Sequence, residues 1–264
     1  MMIRRRPPYI RIGLAALALA LGSGCAGGSQ PGLGETSPAR SLSLVGLGDS
    51  LPGALGCGCT GYVELYGKAA ASALAAVVPV TNLATNDGVD SGQLLARIRS
   101  DQTYRQALAS ADLITLQIGF NDWRTCNWPG DDACWANGTT GVEQNLTAML
   151  EEIWTLRDGK STALRVLTYP NMWIGAVPSP EPPFLGDSAF QSYYAGRLSE
   201  LNTRICRVAE TNEAVCVDLV KAFNGPAGNA APNGLIGPDS KHPTAAGHEL
   251  IAKTLDAVGY GPLT

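Results

Sequence analysis

Histidine is scarce in this chain. Its 264 residues contain two, His242 and His248. That scarcity argues against a multi-histidine metal centre and leaves few imidazoles for proton transfer. Charged residues are sparse as well, at 16%, against 45% hydrophobic. That balance excludes a coiled coil or a disordered polyelectrolyte and fits one globular domain with a full core. No basic excess is present. Leaving out the first 24 residues, which hold four arginines and no acids, leaves 15 basic and 23 acidic residues, a formal charge of −8. Nothing here attracts nucleic acid or an anionic membrane surface. There is also no internal repeat and no sign of a second domain.

Nor does the chain carry an apolar run long enough to span a bilayer comfortably. The longest candidate, Ile12 to Leu21, follows a basic head of Arg4, Arg5, Arg6 and Arg11 and precedes Gly22-Ser23-Gly24. Residues 1–24 therefore read as a bacterial secretion signal, and residues 25–40, rich in Gly, Ser and Pro, as a flexible tether. Cys25 admits two readings. Leu21-Gly22-Ser23-Gly24-Cys25 is similar to a lipoprotein cleavage site, which would anchor the chain to a membrane through lipidated Cys25. However, Gly22 stands where that pattern wants a large aliphatic residue, so plain secretion stays open.

The remaining six cysteines fall as three near neighbours: Cys57 with Cys59, Cys126 with Cys134, and Cys206 with Cys216. In an oxidising compartment these suggest local disulfides, Cys57–Cys59 being the most awkward ring. Zinc is the rival reading, and it is disfavoured by two histidines and an exported chain.

From residue 41 the pattern alternates between strand and helix. Strands are expected at Leu42–Gly48, Val77–Leu83, Ala111–Ile118, Ala163–Tyr169 and Val215–Val220. Helices are expected at Thr60–Ala76, from Gly92 towards Arg99, Asp101–Leu108, Ser188–Ala209 and Ala245–Val258. A further helix is expected through Val142, Leu146, Met149, Leu150 and Ile153, opening on a capping box of Thr140 and Glu143. The loop Gly119 to Gly138, with Trp123, Trp128 and Trp135, precedes it, and a proline-rich loop, Pro170 to Gly186, follows the fourth strand, its part from Pro178 to Gly186 reading as a cleft rim. Such alternation implies an α/β fold with βαβ units and a mainly parallel five-stranded sheet covered on both faces.

Chemistry-bearing residues gather after the strands. Leu42 to Gly48 runs into Gly48-Asp49-Ser50, a turn that lifts a serine over the sheet's C-terminal edge, where ligands of open α/β sheets sit. Gly-Asp-Ser is also an ordinary turn composition. Gly88 follows the second strand and leaves a backbone N–H approachable. Asn121, after the third strand, offers an uncharged amide donor suited to an oxyanion. Asp239 precedes His242 by three residues, a spacing that lets a carboxylate reach one imidazole nitrogen while the other faces Ser50. Asp218 is the rival acid and His248 the rival base. Asp49 reads as a residue that hydrogen-bonds the turn backbone. Trp123 reads equally as a pocket border or as part of a self-packing loop.

Together these residues resemble the GDSL esterase/lipase family, also called SGNH hydrolases, from Leu42 to the end of the chain. The matching blocks are Gly48-Asp49-Ser50-Leu51, Gly88, Gly119-Phe120-Asn121-Asp122 and Asp239-Ser240-Lys241-His242. The resemblance implies a three-layer α/β/α flavodoxin-like sandwich over residues 41–264. It implies Ser50 as nucleophile, Asp239 and His242 as its triad partners, and an oxyanion hole from Ser50, Gly88 and Asn121. In a departure from the family pattern, Asp87 precedes Gly88, with Gly92 as the fallback. The Gly-x-Ser-x-Gly elbow of α/β-hydrolases is absent, because Pro52 stands at the second glycine. The expected function is a serine esterase or lipase acting on small-molecule, lipid or carbohydrate esters through an acyl-enzyme, monomeric and without metal or cofactor. Acyl transfer, carbohydrate deacetylation and non-catalytic glycan or lipid binding are the alternatives.

Overall fold

A computed structural model describes residues 40–176 and 186–264. The expected signal, Cys25, the tether up to residue 39 and most of the Pro178–Gly186 loop lie outside these residues, while Arg40, the last residue of the expected tether, belongs to a strand. A short parallel pair, β1 (Arg40–Ser41) with β3 (Ala76–Val77), precedes the main sheet. That sheet comprises β2 (Leu44–Gly48), β4 (Val80–Asn82), β5 (Leu113–Gln117), β6 (Ala163–Leu167) and β7 (Val215–Val217). Its order is β4-β2-β5-β6-β7 and every pairing is parallel. Numbered along the chain this is the 2-1-3-4-5 order of flavodoxin-like folds, whose ligand crevice opens between the first and third strands. Here those strands are β2 and β5.

Alternation along the strands explains the layers. Val45, Leu47, Ile114, Leu116, Leu164 and Val166 point into one core. It is closed by α2 (Ser91–Ser100), α3 (Gln102–Ser110), α4 (Asp132–Arg157) and α5 (Ser188–Thr211). Leu44, Leu113, Ala163 and Leu167 point into the other core, under α1 (Tyr62–Ala73), α6 (Leu219–Asn224) and α7 (Ala245–Ala257). Buried Arg165 of β6 donates to the carbonyls of Gly259 (2.7 Å) and Gly261 (3.0 Å), tying the end of α7 to the sheet.

Three elements differ from their sequence expectation. The Val77–Leu83 strand is divided between β3 and β4, because Pro79 cannot donate to a ladder. The last strand stops at Val217. Asp218 then caps α6 by accepting from Val220 N (2.9 Å), so Val220 is helical. Helix α4 starts at Asp132, which places Thr140 and Glu143 inside it rather than at its cap. Glu143 instead pairs with Arg204 (2.7 Å) and Arg207 of α5. Gly138, which reads as a loop residue, is a site of close approach. A Cβ there would lie 2.8 Å from the Trp123 ring and 2.9 Å from the Asp122 carbonyl.

Candidate active site

The crevice at the ends of β2 and β5 is built by steric necessity first. Gly48 closes β2 with φ 140°, and a Cβ on it would stand 2.0 Å from the Gln117 carbonyl oxygen of β5. Only glycine lets the two strand ends come this close. The chain then turns through Asp49 and presents Ser50, half-buried, at the crevice. Asp49 is buried, accepting from Leu51 N (3.1 Å) and from the Tyr169 hydroxyl (2.8 Å). Burial pushes its carboxyl up to about 6 against these two donors. Asp49 thus holds the turn, as its sequence context suggests.

The loop before α7 meets Ser50 from the other side. His242 Nε2 lies 3.0 Å from Ser50 Oγ, and His242 Nδ1 lies 2.5 Å from Asp239 Oδ2. The second carboxylate oxygen of Asp239 accepts from the backbone N–H of Lys241 and of His242, both at 3.0 Å. Partial burial raises the Asp239 carboxyl, but the His242 backbone and ring and the Lys241 N–H hold it below its ordinary value. The loop is pinned elsewhere as well. Gly237 N donates to the His242 carbonyl (2.8 Å), and Ser240 takes φ 57°. The Trp173 indole N–H donates to the Ser240 carbonyl (2.8 Å). The rival groups lie elsewhere. Asp218 serves the α6 cap. His248 is fully buried, accepts from Tyr62 N (3.3 Å), and is lowered by burial to about 4.

Gly88 and Asn121 complete the rim, and both line the same cavity as Ser50 and His242. Gly88 adopts φ 71°, and its carbonyl accepts from Arg124 Nη1 (2.7 Å). The fallback Gly92 lies inside α2, away from the lining. Asn121 sits in a 3-10 turn, Phe120–Trp123, and donates one amide proton to the Val89 carbonyl (2.9 Å). A primary amide has a second N–H to offer. The neighbouring Asp122 ties this turn to α2, accepting from Ser91 N (3.0 Å) and Ser91 Oγ (2.5 Å).

The cavity measures about 570 Å³. Trp123, Trp128 and Trp135 all line it, so the tryptophan segment is both self-packed and a pocket border. The rings of Trp123 and Trp135 pack with centroids 5.1 Å apart, beside the Cys126–Cys134 disulfide. The Cys57–Cys59 and Cys206–Cys216 disulfides are formed as well. Among the described residues, Cys57, Cys59 and His248 form a cluster of metal-ligating type within 4.8 Å, but its sulfurs are bonded to each other. Sequence reasoning missed Trp173, Phe190 and Tyr194 as cavity walls. Phe190 and Tyr194 lie on an apolar helical stripe that reads as core, and Trp173 stands in the loop after the fourth expected strand, where no local pattern singles it out.

Comparison with known proteins agrees with this architecture. The lipase Lip_vut3 from a goat rumen metagenome superposes with a TM-score of 0.70 at 20% identity, covering 85% of this chain and 100% of its own. An α/β hydrolase from the metagenome of Lake Arreo, Spain, gives 0.59 at 23% identity, covering 86% and 98%. A catalytic mutant of Axe2, an acetylxylan esterase from Geobacillus stearothermophilus, gives 0.59 at 19%, covering 85% and 96%. Among curated proteins, none matches the chain. A model of the GDSL-like lipase/acylhydrolase family matches residues 47–250, across the serine turn, the asparagine turn and the histidine loop. On that match the chain belongs to the GDSL-like lipase/acylhydrolase family and is a carboxylic ester hydrolase.

Proposed function

We propose that Ser50, His242 and Asp239 form a catalytic triad that hydrolyses carboxylic esters through an acyl-enzyme. The observation that carries this reading is the unbroken contact from Asp239 through His242 to Ser50 at the mouth of a cavity. Ser50 Oγ attacks the ester carbonyl carbon as its proton passes to His242 Nε2. Asp239 holds the ring in the tautomer whose Nε2 can accept, and stabilises the imidazolium that forms. The Ser50 and Gly88 N–H groups and the free N–H of Asn121 receive the oxyanion. Collapse of the tetrahedral intermediate expels the alcohol, which takes the proton from His242. Water, deprotonated by the same imidazole, then releases the acid and restores Ser50. The sequence needs no metal or organic cofactor.

The test is steady-state hydrolysis of p-nitrophenyl acetate by Ser50→Ala and His242→Ala. Each is expected to lose about 10⁴-fold or more in kcat. Wild-type turnover in Ser50→Ala would refute the assignment.

We also propose that residues 1–24 direct export, that 25–40 are a tether and that 41–264 are the hydrolase domain, acting alone as a monomer. Three disulfides support an oxidising destination. No helix among the described residues is long and apolar enough to cross a membrane. Mass spectrometry of the mature N-terminus separates the two fates of Cys25. A diacylated Cys25 marks a cell-surface anchor, and an unmodified terminus elsewhere marks plain secretion.

A further inference from the structure

We infer that the cavity beside Ser50 selects esters bearing an apolar chain of about six or more carbons over acetyl esters of sugars. The inference rests on the esterase reading above and adds its substrate class.

The polar atoms of the cavity wall are turned into the protein. Seven aromatic residues line the cavity: Phe120, Trp123, Trp128, Trp135, Trp173, Phe190 and Tyr194. Trp123 donates its indole N–H to the Trp135 carbonyl (3.1 Å) and to Thr139 Oγ1 (3.2 Å). Trp135 donates to the Asn127 carbonyl (3.2 Å) and Trp173 to the Ser240 carbonyl (2.8 Å). All three N–H groups are spent inside the protein, so these rings meet a ligand with carbon alone. The Tyr194 hydroxyl is the single buried polar atom of this wall with no partner among the described residues. One hydroxyl cannot satisfy a sugar, each of whose buried hydroxyls needs its own partner.

Burial points the same way. Trp123, Trp135, Trp173, Phe190 and Tyr194 are each at most 5% exposed. They bound a recess and do not form the open aromatic face on which a sugar ring would lie. Apart from the residues around Ser50, the polar lining is segregated outward: Asn86, Arg124, Thr125, Asn127 and Lys241 are all exposed. Ring packing holds the wall in place, with Trp173 centred 4.1 Å from Tyr194 and 5.3 Å from Phe190. A preformed apolar recess leaves most of the burial energy for binding.

Each methylene buried against such a wall favours binding about fourfold. An octyl or octanoyl chain has six methylenes more than its two-carbon counterpart. Burial of half of them predicts a gain on the order of 10²-fold in kcat/KM.

The experiment is hydrolysis of ethyl acetate, ethyl octanoate, octyl acetate and an acetylated methyl glucoside by the full-length protein, followed by base titration at constant pH. One or both octyl-bearing esters should exceed ethyl acetate and the acetylated glucoside by roughly 10²-fold. Whichever wins assigns the recess to the acyl or to the alcohol side. Equal rates across the series would overturn the inference. Trp128→Ala then tests the wall. Trp128 is half-buried, lines the cavity and meets Phe190 edge-on at 5.3 Å, so its truncation is milder than loss of a core ring. It should lower the ratio of long-chain to ethyl acetate turnover at least fivefold, and an unchanged ratio would count against the wall. Failure of the esterase reading itself looks different, namely no turnover of any ester and no fluorophosphonate adduct. Binding of octanoate against acetate, followed by tryptophan fluorescence, would then still decide what the recess prefers, with equal affinities overturning the inference.

Discussion

Replacing Asp239 by Asn tests the chemistry of the site with the least structural disturbance. Asp239 does two jobs through two oxygens. Oδ1 accepts from the N–H groups of Lys241 and His242, and Oδ2 receives His242 Nδ1 at 2.5 Å. Asparagine can keep the first job, because its carbonyl oxygen still accepts both backbone protons. Its amide nitrogen then faces Nδ1 as a donor, which selects the tautomer with the proton on Nε2. That nitrogen lies 3.0 Å from Ser50 Oγ and can no longer accept the serine proton. The imidazolium also loses its counter-charge. In a Ser-His-Asp triad this exchange is worth about 10⁴ in kcat, or about 5.5 kcal/mol of transition-state stabilisation. The expected result for Asp239→Asn is therefore a 10³- to 10⁴-fold loss of kcat on p-nitrophenyl acetate at pH 7, with an unchanged circular dichroism spectrum and thermal midpoint. Activity within tenfold of wild type in a folded variant would refute the role assigned to Asp239.

Three further perturbations follow from named contacts. Asn121→Ala removes the proposed side-chain oxyanion donor and should lower kcat by 10²–10³ while KM stays within a few-fold; an effect on KM alone would make Asn121 a substrate-binding residue. Trp173→Phe keeps a ring in the cavity wall but deletes the N–H that holds the Ser240 carbonyl, so kcat should fall about tenfold even on an acetyl ester, which carries no long chain for the wall to bind. An unchanged kcat on that ester would leave Trp173 as wall alone. Asp49→Asn addresses pH. Burial raises native Asp49 to about 6 from its ordinary value of 3.8, so between these pH values the native state keeps a proton that the unfolded chain has released. Its contribution to stability therefore falls as pH rises through that window. Asp49→Asn should gain on wild type by about 2–3 kcal/mol between pH 4 and pH 7, measured by denaturant unfolding, and a difference independent of pH would contradict the buried-carboxyl account.

The parts of this molecule that are legible in its sequence are those written in backbone requirements and strand order. Gly48 before Ser50, Asn121 after a buried strand, and Asp239 three residues before His242 are local patterns. Parallel βαβ order then carries such patterns to one sheet edge without further information. What stayed hidden depends on contacts between distant segments. Gly138 reads as a loop because glycine disfavours helix, yet it lies in α4 where Trp123 comes too close for a Cβ. The Thr140–Glu143 pair fits a capping box, but Glu143 is committed to Arg204 and Arg207 across α4 and α5. Phe190 and Tyr194 recur at helical spacing and read as core, which they are. Their second role as cavity wall arises from Trp173, fifteen or more residues upstream in another loop. Among the acids, spacing already separates Asp239 beside His242 and Asp49 at its turn, whereas the partners of Asp122 on α2 and of Asp218 at the start of α6 emerge only in the folded chain.

The most direct test of the central claim is covalent labelling with a fluorophosphonate, followed by peptide mapping of the adduct. One adduct on Ser50 is expected in the wild type, with none in Ser50→Ala and much slower labelling in His242→Ala. An adduct on another residue, or labelling of Ser50→Ala at the wild-type rate, would contradict Ser50 as the nucleophile.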